Sequence, residues 1–238
     1  MKLDVLAFGA HPDDVELGAG GSIAKMTAMG MKVGIVDLTE GQLGTRGSIQ
    51  KRYAEADKAA EILGLSVREN LKMEDGFFEN NKENKDRVIS CIRKYKPRIV
   101  LCNAPYDRHP DHGRGSDLVK EAVFYSGLRM WKTMDQGKDQ EAHRPEAVYQ
   151  YMQFYNLEPD LIMDVSGYEE VKMKAIKAYD SQFYKPGTNE PETAIAQKGF
   201  LDSIYHRMVD HGRLIGREAG EGFMVERKPG VNTLLDLI

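Results

Sequence analysis

Two short segments hold most of the residues in this chain whose types and spacing suit acid–base or metal chemistry. The first is His11-Pro12-Asp13-Asp14. A neutral imidazole and a carboxylate three residues on can meet on one divalent ion. Asp13 then lies near the ion, free to take a proton from the water it activates. Pro12 fixes its own φ and pushes His11 toward an extended backbone, which suits a rigid turn that presents side chains. The plainer alternative is an Asx-rich turn capping a helix that begins near residues 16–18. The second segment, Tyr106-Asp107-Arg108-His109-Pro110-Asp111-His112, places two histidines and two aspartates within six residues. His11, Asp14 and one histidine of this segment make three ligands with an open fourth position. That is the pattern of catalytic zinc rather than structural zinc, although Fe2+ or Co2+ suits the same donors.

A third segment, 39–48, spaces Gly41, Gly44 and Gly47 three residues apart, so its backbone can approach a ligand closely, and Ser48 can cap the next helix. No Gly-Lys-Ser/Thr follows, so it is not a nucleotide-binding P-loop. Arg46 and Arg52 lie near this loop, where paired N–H donors could grip a substrate carboxylate; each could equally be a solvated helix charge. Other candidates read as bland. His143 lies in a polar stretch and reads as surface, while His206 and His211 sit on a long helix. Tyr151, Phe154, Tyr155, Met26, Met29 and Met31 read as packing.

These segments must be positioned by a scaffold. Apolar runs at 3–9, 32–38 and 98–103 carry aliphatic residues on both parities, as buried parallel strands do. Helical patterns occupy 18–29, 49–63 and 84–95, the last ended by Pro97. The alternation implies an α/β fold: a three-layer α/β/α open sheet, Rossmann-like and mostly parallel, with right-handed crossovers. In such sheets ligands bind at the carboxyl ends of strands, where both His-bearing segments fall. Farther on, 147–155 and 161–165 read as strands, antiparallel at the sheet edge. Residues 168–179 and 193–214 read as helices, and 185–192 as a loop. Without a linker or repeat, 1–238 is expected to be a single domain.

Among 238 residues, 41% are hydrophobic and 29% charged, which suits a soluble globular chain. A net charge of −4 gives no reason to expect nucleic acid. The apolar start is too short for a signal peptide and no stretch approaches a membrane span, so a cytoplasmic location is the expectation. Cys91 and Cys102 read as reduced, buried thiols.

Taken together, Ala10-His11-Pro12-Asp13-Asp14-Val15-Glu16, the glycine loop, His109-Pro110-Asp111-His112 and the closing stretch 214–223 resemble the PIG-L/LmbE family of zinc-dependent N-acetylglucosaminyl deacetylases. Gly41-x-x-Gly44-Thr45-Arg46-Gly47 and the compact length most resemble its bacillithiol-biosynthesis members, which act on N-acetyl-α-D-glucosaminyl L-malate. The resemblance implies His11, Asp14 and His112 as zinc ligands and Asp13 as the base that activates water. It implies His109, in protonated form, as the group that stabilises the oxyanion, Asp111 as the residue that orients a histidine, and Arg52 as a holder of the malate carboxylate. It also implies a homo-oligomer, trimer or hexamer. Two rival substrates are another N-acetylated sugar, such as a chitooligosaccharide, and a thiol–sugar conjugate. A rival of another class is a non-catalytic α/β module that binds a sugar or nucleotide at the same place.

Overall fold

The computed structural model describes residues 1–187 and 189–237; Thr188, inside the loop expected over 185–192, lies outside the described residues, as does Ile238. The chain runs β1 (Val5–Gly9), α1 (Asp14–Ala28), β2 (Val33–Thr39), α2 (Ile49–Leu63), β3 (Val67–Met73), α3 (Lys82–Tyr95), β4 (Ile99–Asn103) and α4 (Pro110–Ser126). It continues with β5 (Met134–Asp135), β6 (Lys138–Asp139), β7 (Ala147–Tyr151), β8 (Leu161–Asp164), α5 (Glu169–Lys177), α6 (Phe200–Leu214) and β9 (Gly220–Val225). Seven strands form one sheet in the order β3-β2-β1-β4-β7-β9-β8. As expected, the fold is three-layered and mostly parallel. Val5 and Ala7 of β1 enter a core shared with α1, α2, α5 and α6, while Leu6 and Phe8 enter a second core with α3 and α4. Burial on both parities is what a sheet covered on both faces requires.

The expected antiparallel pairing is present at the sheet edge, where β8 pairs with β9, but the partners are arranged differently from expectation. β7 runs parallel to β4, and the antiparallel strand is β9, one place in from the edge, between β7 and β8. Gly220 and Gly222 hide β9 from a propensity reading, yet the sheet needs them: a Cβ at Gly220 would lie 2.6 Å from Ile162 Cγ2, and one at Gly222 2.4 Å from Met152 Cε. β3 escapes the same reading, because charged Arg68, Glu69 and Lys72 interrupt its apolar pattern at the sheet edge. α1 starts four residues before the expected position, since Gly18 lets the helix lie against the Tyr151 ring, where a Cβ would come within 2.2 Å of Cδ2. α2 spans the expected residues, capped by the Ser48 hydroxyl at one end and by Gly64 at φ 67° at the other. The polar stretch after residue 133 opens with a two-residue hairpin. Gln136 and Gly137, both at positive φ, form the turn between β5 and β6.

Parallel registers align the carboxyl ends that matter: Val5 pairs with Val33 and with Ile99, and Ile99 with Ala147. The segments after β1, β2, β3, β4 and β7 therefore leave one edge together. Among the described residues no helix is long and apolar enough to cross a membrane. Cys91 and Cys102 are free and buried, as expected.

Candidate metal and active site

The turn after β1 is fixed from three sides. Thr39 donates its backbone N–H and its hydroxyl to the Ala10 carbonyl at 3.0 and 2.9 Å, and Asn103 Oδ1 accepts the Ala10 N–H at 3.0 Å. Tyr151 donates its hydroxyl to the Phe8 carbonyl at 2.9 Å. Within this frame Asp13 adopts φ 111° and ψ −24°, a conformation that costs a non-glycine residue roughly 1–3 kcal/mol. Asp13 precedes α1 in the capping position, yet its side chain makes no capping bond. The carboxylate instead stands 3.8 Å from Arg52 Nη1, lining the cleft. The capping alternative drawn from the sequence therefore does not describe it. Burial raises the Asp13 carboxyl to about 7, against the opposing pull of Arg52.

His11, Asp14 and His112 converge as the resemblance implies. His11 Nδ1 lies 3.5 Å from Asp14 Oδ2, and His112 Nε2 lies 3.3 Å from Asp14 Oδ1. The outer nitrogen of each ring meets a carboxylate: His11 Nε2 faces Asp75 at 3.1 Å and Asp111 at 3.4 Å, and His112 Nδ1 faces Asp107 at 2.7 Å. A carboxylate behind a histidine fixes the tautomer and turns the inner nitrogen's lone pair toward a metal. Two imidazoles and a carboxylate are donors that suit a divalent cation, and the two short spacings reach different oxygens of Asp14, Oδ2 from His11 and Oδ1 from His112. A second convergence, of His11, Asp75 and Asp111, uses the other side of the His11 ring.

These charges govern protonation. Burial opposes ionisation of Asp14, but His112 and His11 hold its carboxyl well below the usual range. Burial likewise opposes charge on His112, yet Asp14 and Asp107 raise it to about 9. His109 goes the other way: burial, His11 and His112 lower its pKa. Its Nδ1 accepts the Asp111 backbone N–H at 3.3 Å, which leaves the proton on Nε2. Both features favour a neutral imidazole, whereas the resemblance implies the protonated form. One ring nitrogen from each of His11, His109 and His112 lies within 4.8 Å of the others.

The cleft holds about 320 Å³ and is lined by Asp13, Asp14, His11, His109 and His112 together with Arg46, Arg52 and Arg108. Asp111 sits behind His11, bonded to the Gly76 N–H and to Arg114. The glycine loop lines the cleft at Gly41 and Gly44, and its glycines also make room for two side chains. A Cβ at Gly41 or Gly44 would lie 3.1 or 2.9 Å from the Arg52 guanidinium, and one at Gly47 2.7 Å from Ser181 Oγ. Its glycines therefore admit Arg52 and Ser181. Arg52 donates to the Pro12 carbonyl at 3.2 Å and to Gln182 Oε1 at 2.6 Å, and Arg46 donates to the Phe183 carbonyl at 3.1 Å.

Asp75, Asn103 and Gln153 join the site without a signal in the sequence pattern. Asp75 follows β3, so recognising that strand would have placed it at the same edge; single amides such as Asn103 and Gln153 carry no spacing signal. His143 is half-buried rather than surface, with Nε2 2.7 Å from the Pro97 carbonyl.

The PIG-L family model, described as GlcNAc-PI de-N-acetylase, matches residues 6–123. A diacetylchitobiose deacetylase from Thermococcus kodakarensis is 34% identical over 189 residues, covering 75% of this chain and 70% of that protein. A probable N-acetyl-alpha-D-glucosaminyl L-malate deacetylase 2 from Bacillus cereus is 28% identical over 195 residues, covering 76% of this chain and 84% of that protein. The crystal structure of a conserved protein from Thermus thermophilus aligns with a TM-score of 0.86 at 31% identity, covering 96% of this chain and 97% of that one.

Proposed function

The chain belongs to the PIG-L family of de-N-acetylases, and from that premise we propose that it hydrolyses the acetamide of an N-acetylglucosaminyl substrate. The observation that carries this reading is Asp13, held at φ 111° with no capping bond beside the His11–Asp14–His112 convergence. His11, Asp14 and His112 would hold a divalent cation, which would supply Lewis acidity to a water and to a carbonyl when bound. Asp13 takes the proton of the attacking water as its oxygen bonds to the acetyl carbon. The His109 Nε2–H donates to the carbonyl oxygen as negative charge grows there, a contribution of about 3–4 kcal/mol for a well-placed donor. Asp13 then passes the proton to the nitrogen as the C–N bond breaks, releasing acetate and a free amine. Asp111 orients His11 in this scheme. We assign zinc as the metal, with Fe2+ or Co2+ as substitutes, and residues 1–238 as one domain of a cytoplasmic trimer or hexamer.

The substrate we favour is N-acetyl-α-D-glucosaminyl L-malate, as in bacillithiol biosynthesis. Arg46, Arg52 and Arg108 line the cleft and suit an acidic aglycone. A second reading, a diacetylchitobiose-type substrate, is favoured by the 34% identity to that deacetylase. Acetate release from both compounds and from N-acetylglucosamine, with and without a chelator, tests the reading. We expect release that stops with chelator, returns with zinc, and is fastest for the malate conjugate. A faster reaction with diacetylchitobiose would move the assignment to the second reading. Acetate release undiminished by chelation, or none from any of the three with metal restored, would falsify the function itself.

A further inference from the structure

The carboxylate of Asp14 is held by two buried amides as well as facing two histidines. Gln153 Nε2 donates to Oδ1 at 2.6 Å, and Asn103 Nδ2 donates to Oδ2 at 3.2 Å. The amides also meet each other, Asn103 Nδ2 donating to Gln153 Oε1 at 3.3 Å. Neither amide can be turned over. Asn103 Oδ1 is needed as the acceptor for the Ala10 N–H, and reversing Gln153 would set its oxygen against the Asp14 carboxylate. Both are nearly inaccessible, at 2% and 8% exposure. Gln153 lies just beyond β7, and its backbone is gripped from α6: the Arg207 guanidinium donates to the Gln153 carbonyl and, at 2.9 Å, to the Phe154 carbonyl.

Counting lone pairs shows what this arrangement selects. Oδ2 of Asp14 accepts the His11 backbone N–H at 2.9 Å and the Asn103 amide, so both of its lone pairs are engaged. Oδ1 accepts Gln153, which leaves one lone pair, and Oδ1 is the oxygen nearer His112 Nε2. We propose that Asn103, Gln153 and Arg207 form a positioning strap that presents Asp14 Oδ1 as a single ligating oxygen and so sets the affinity of the cation site. Asn103 ties the carboxylate to the β1 turn; Gln153 and Arg207 tie it to β7 and α6, more than a hundred residues away in the chain. Gln153 lines the cleft, and Asn103 and Arg207 stand behind it. It rests on the reading of His11, Asp14 and His112 as metal ligands.

The test is a metal titration that needs no substrate. Full-length, metal-free protein is titrated with Co2+, read by its visible absorption, and with Zn2+ in competition with a chromophoric chelator. Gln153→Met keeps the side-chain length and removes the donor; it should weaken binding about 10–100-fold and change the Co2+ band shape. Its metal-free Tm, expected to fall because a bond to a buried carboxylate is lost, is measured alongside to show that the variant is folded at the titration temperature. Arg207→Lys, which cannot fork to both carbonyls, should weaken binding by about threefold or more. Affinity within about twofold of the unsubstituted protein, with a superimposable Co2+ spectrum, overturns the strap. Should Gln153→Met fail to fold, the Arg207→Lys titration decides on the same terms. If the unsubstituted protein binds neither ion, the metal reading itself fails rather than the strap alone.

Discussion

The two turns that build the site are made differently. His11, Pro12, Asp13 and Asp14 are all buried, and the turn carries backbone strain at Asp13. The turn from Asp107 to His112 is relaxed: His109 sits at φ −84° as the cap of α4, Pro110 occupies its first turn, and Arg108 and Pro110 are exposed. The first turn has little freedom, and its strained residue is the one whose carboxylate faces the cleft. The second contributes one buried histidine, His112, and one half-buried histidine, His109, that meets whatever enters. Strain of this kind persists only where surrounding contacts impose it, and here Thr39, Asn103, Tyr151 and Arg52 impose it. The contrast assigns holding and proton abstraction to the first turn, and holding and charge stabilisation to the second.

The largest effect should come from Asp13. Asp13→Asn should lower kcat by about 10²–10⁴-fold while metal content stays at the unsubstituted level. Asp13→Gly separates strain from chemistry, because glycine accepts positive φ freely. It should abolish turnover and raise the stability of the metal-free protein by about 1 kcal/mol, seen as a higher Tm. Equal turnover in Asp13→Asn would remove the base from the scheme; a lower Tm in Asp13→Gly would remove the strain. In the relaxed turn, His109→Gln should cost about 10²–10³-fold in kcat with metal retained and no gain in Tm. Metal loss in that variant would make His109 a ligand and erase the division of labour.

The His-bearing segments and the sheet that aligns them were legible because their signals are local. Aliphatic runs gave β1, β2 and β4, and His11 and His112 lie within a few residues of two of those strand ends. The charged edge strand β3 and the glycine-bearing β9 were not legible, because their residues answer to neighbours far along the chain. Gly222 is glycine because Met152 is there, and Gly41 is glycine because Arg52 is there. Asp75 was missed along with β3, and Gln153 because an amide's role depends wholly on the carboxylate it meets. The neutral state of His109 likewise depends on His11 and His112, which only folding brings against it.

Asp107 tests the second turn at smaller amplitude. Its carboxylate accepts from His112 Nδ1 at 2.7 Å and from the backbone N–H of Phe154 and Tyr155 at 3.3 and 3.0 Å. Asp107→Asn keeps the size but removes the charge that fixes the His112 tautomer. Zinc affinity should fall about 10–100-fold, measured by chelator competition. An unchanged affinity would mean that the His112 ring is held by packing against His109 alone, their centroids being 5.3 Å apart.

The smallest effect concerns a histidine outside both turns, and it isolates what the carboxylates do. His211 of α6 is buried against β9, where a Cβ at Gly222 would lie 2.9 Å from its Cε1. Burial, with Arg207 adding to it, lowers the His211 pKa below 6.5, whereas Asp14 and Asp107 raise that of His112. For a depressed imidazole, the unfolded chain binds the extra proton between the folded pKa and 6.5, so stability falls as pH falls through that window and levels off below it. Comparing Tm at about pH 7.5 and about pH 5.5, His211→Gln should lose less on acidification than the unsubstituted protein. Equal losses would mean that His211 protonates in place without cost. The site histidines and His211 would then differ in their neighbours but not in what burial does to them.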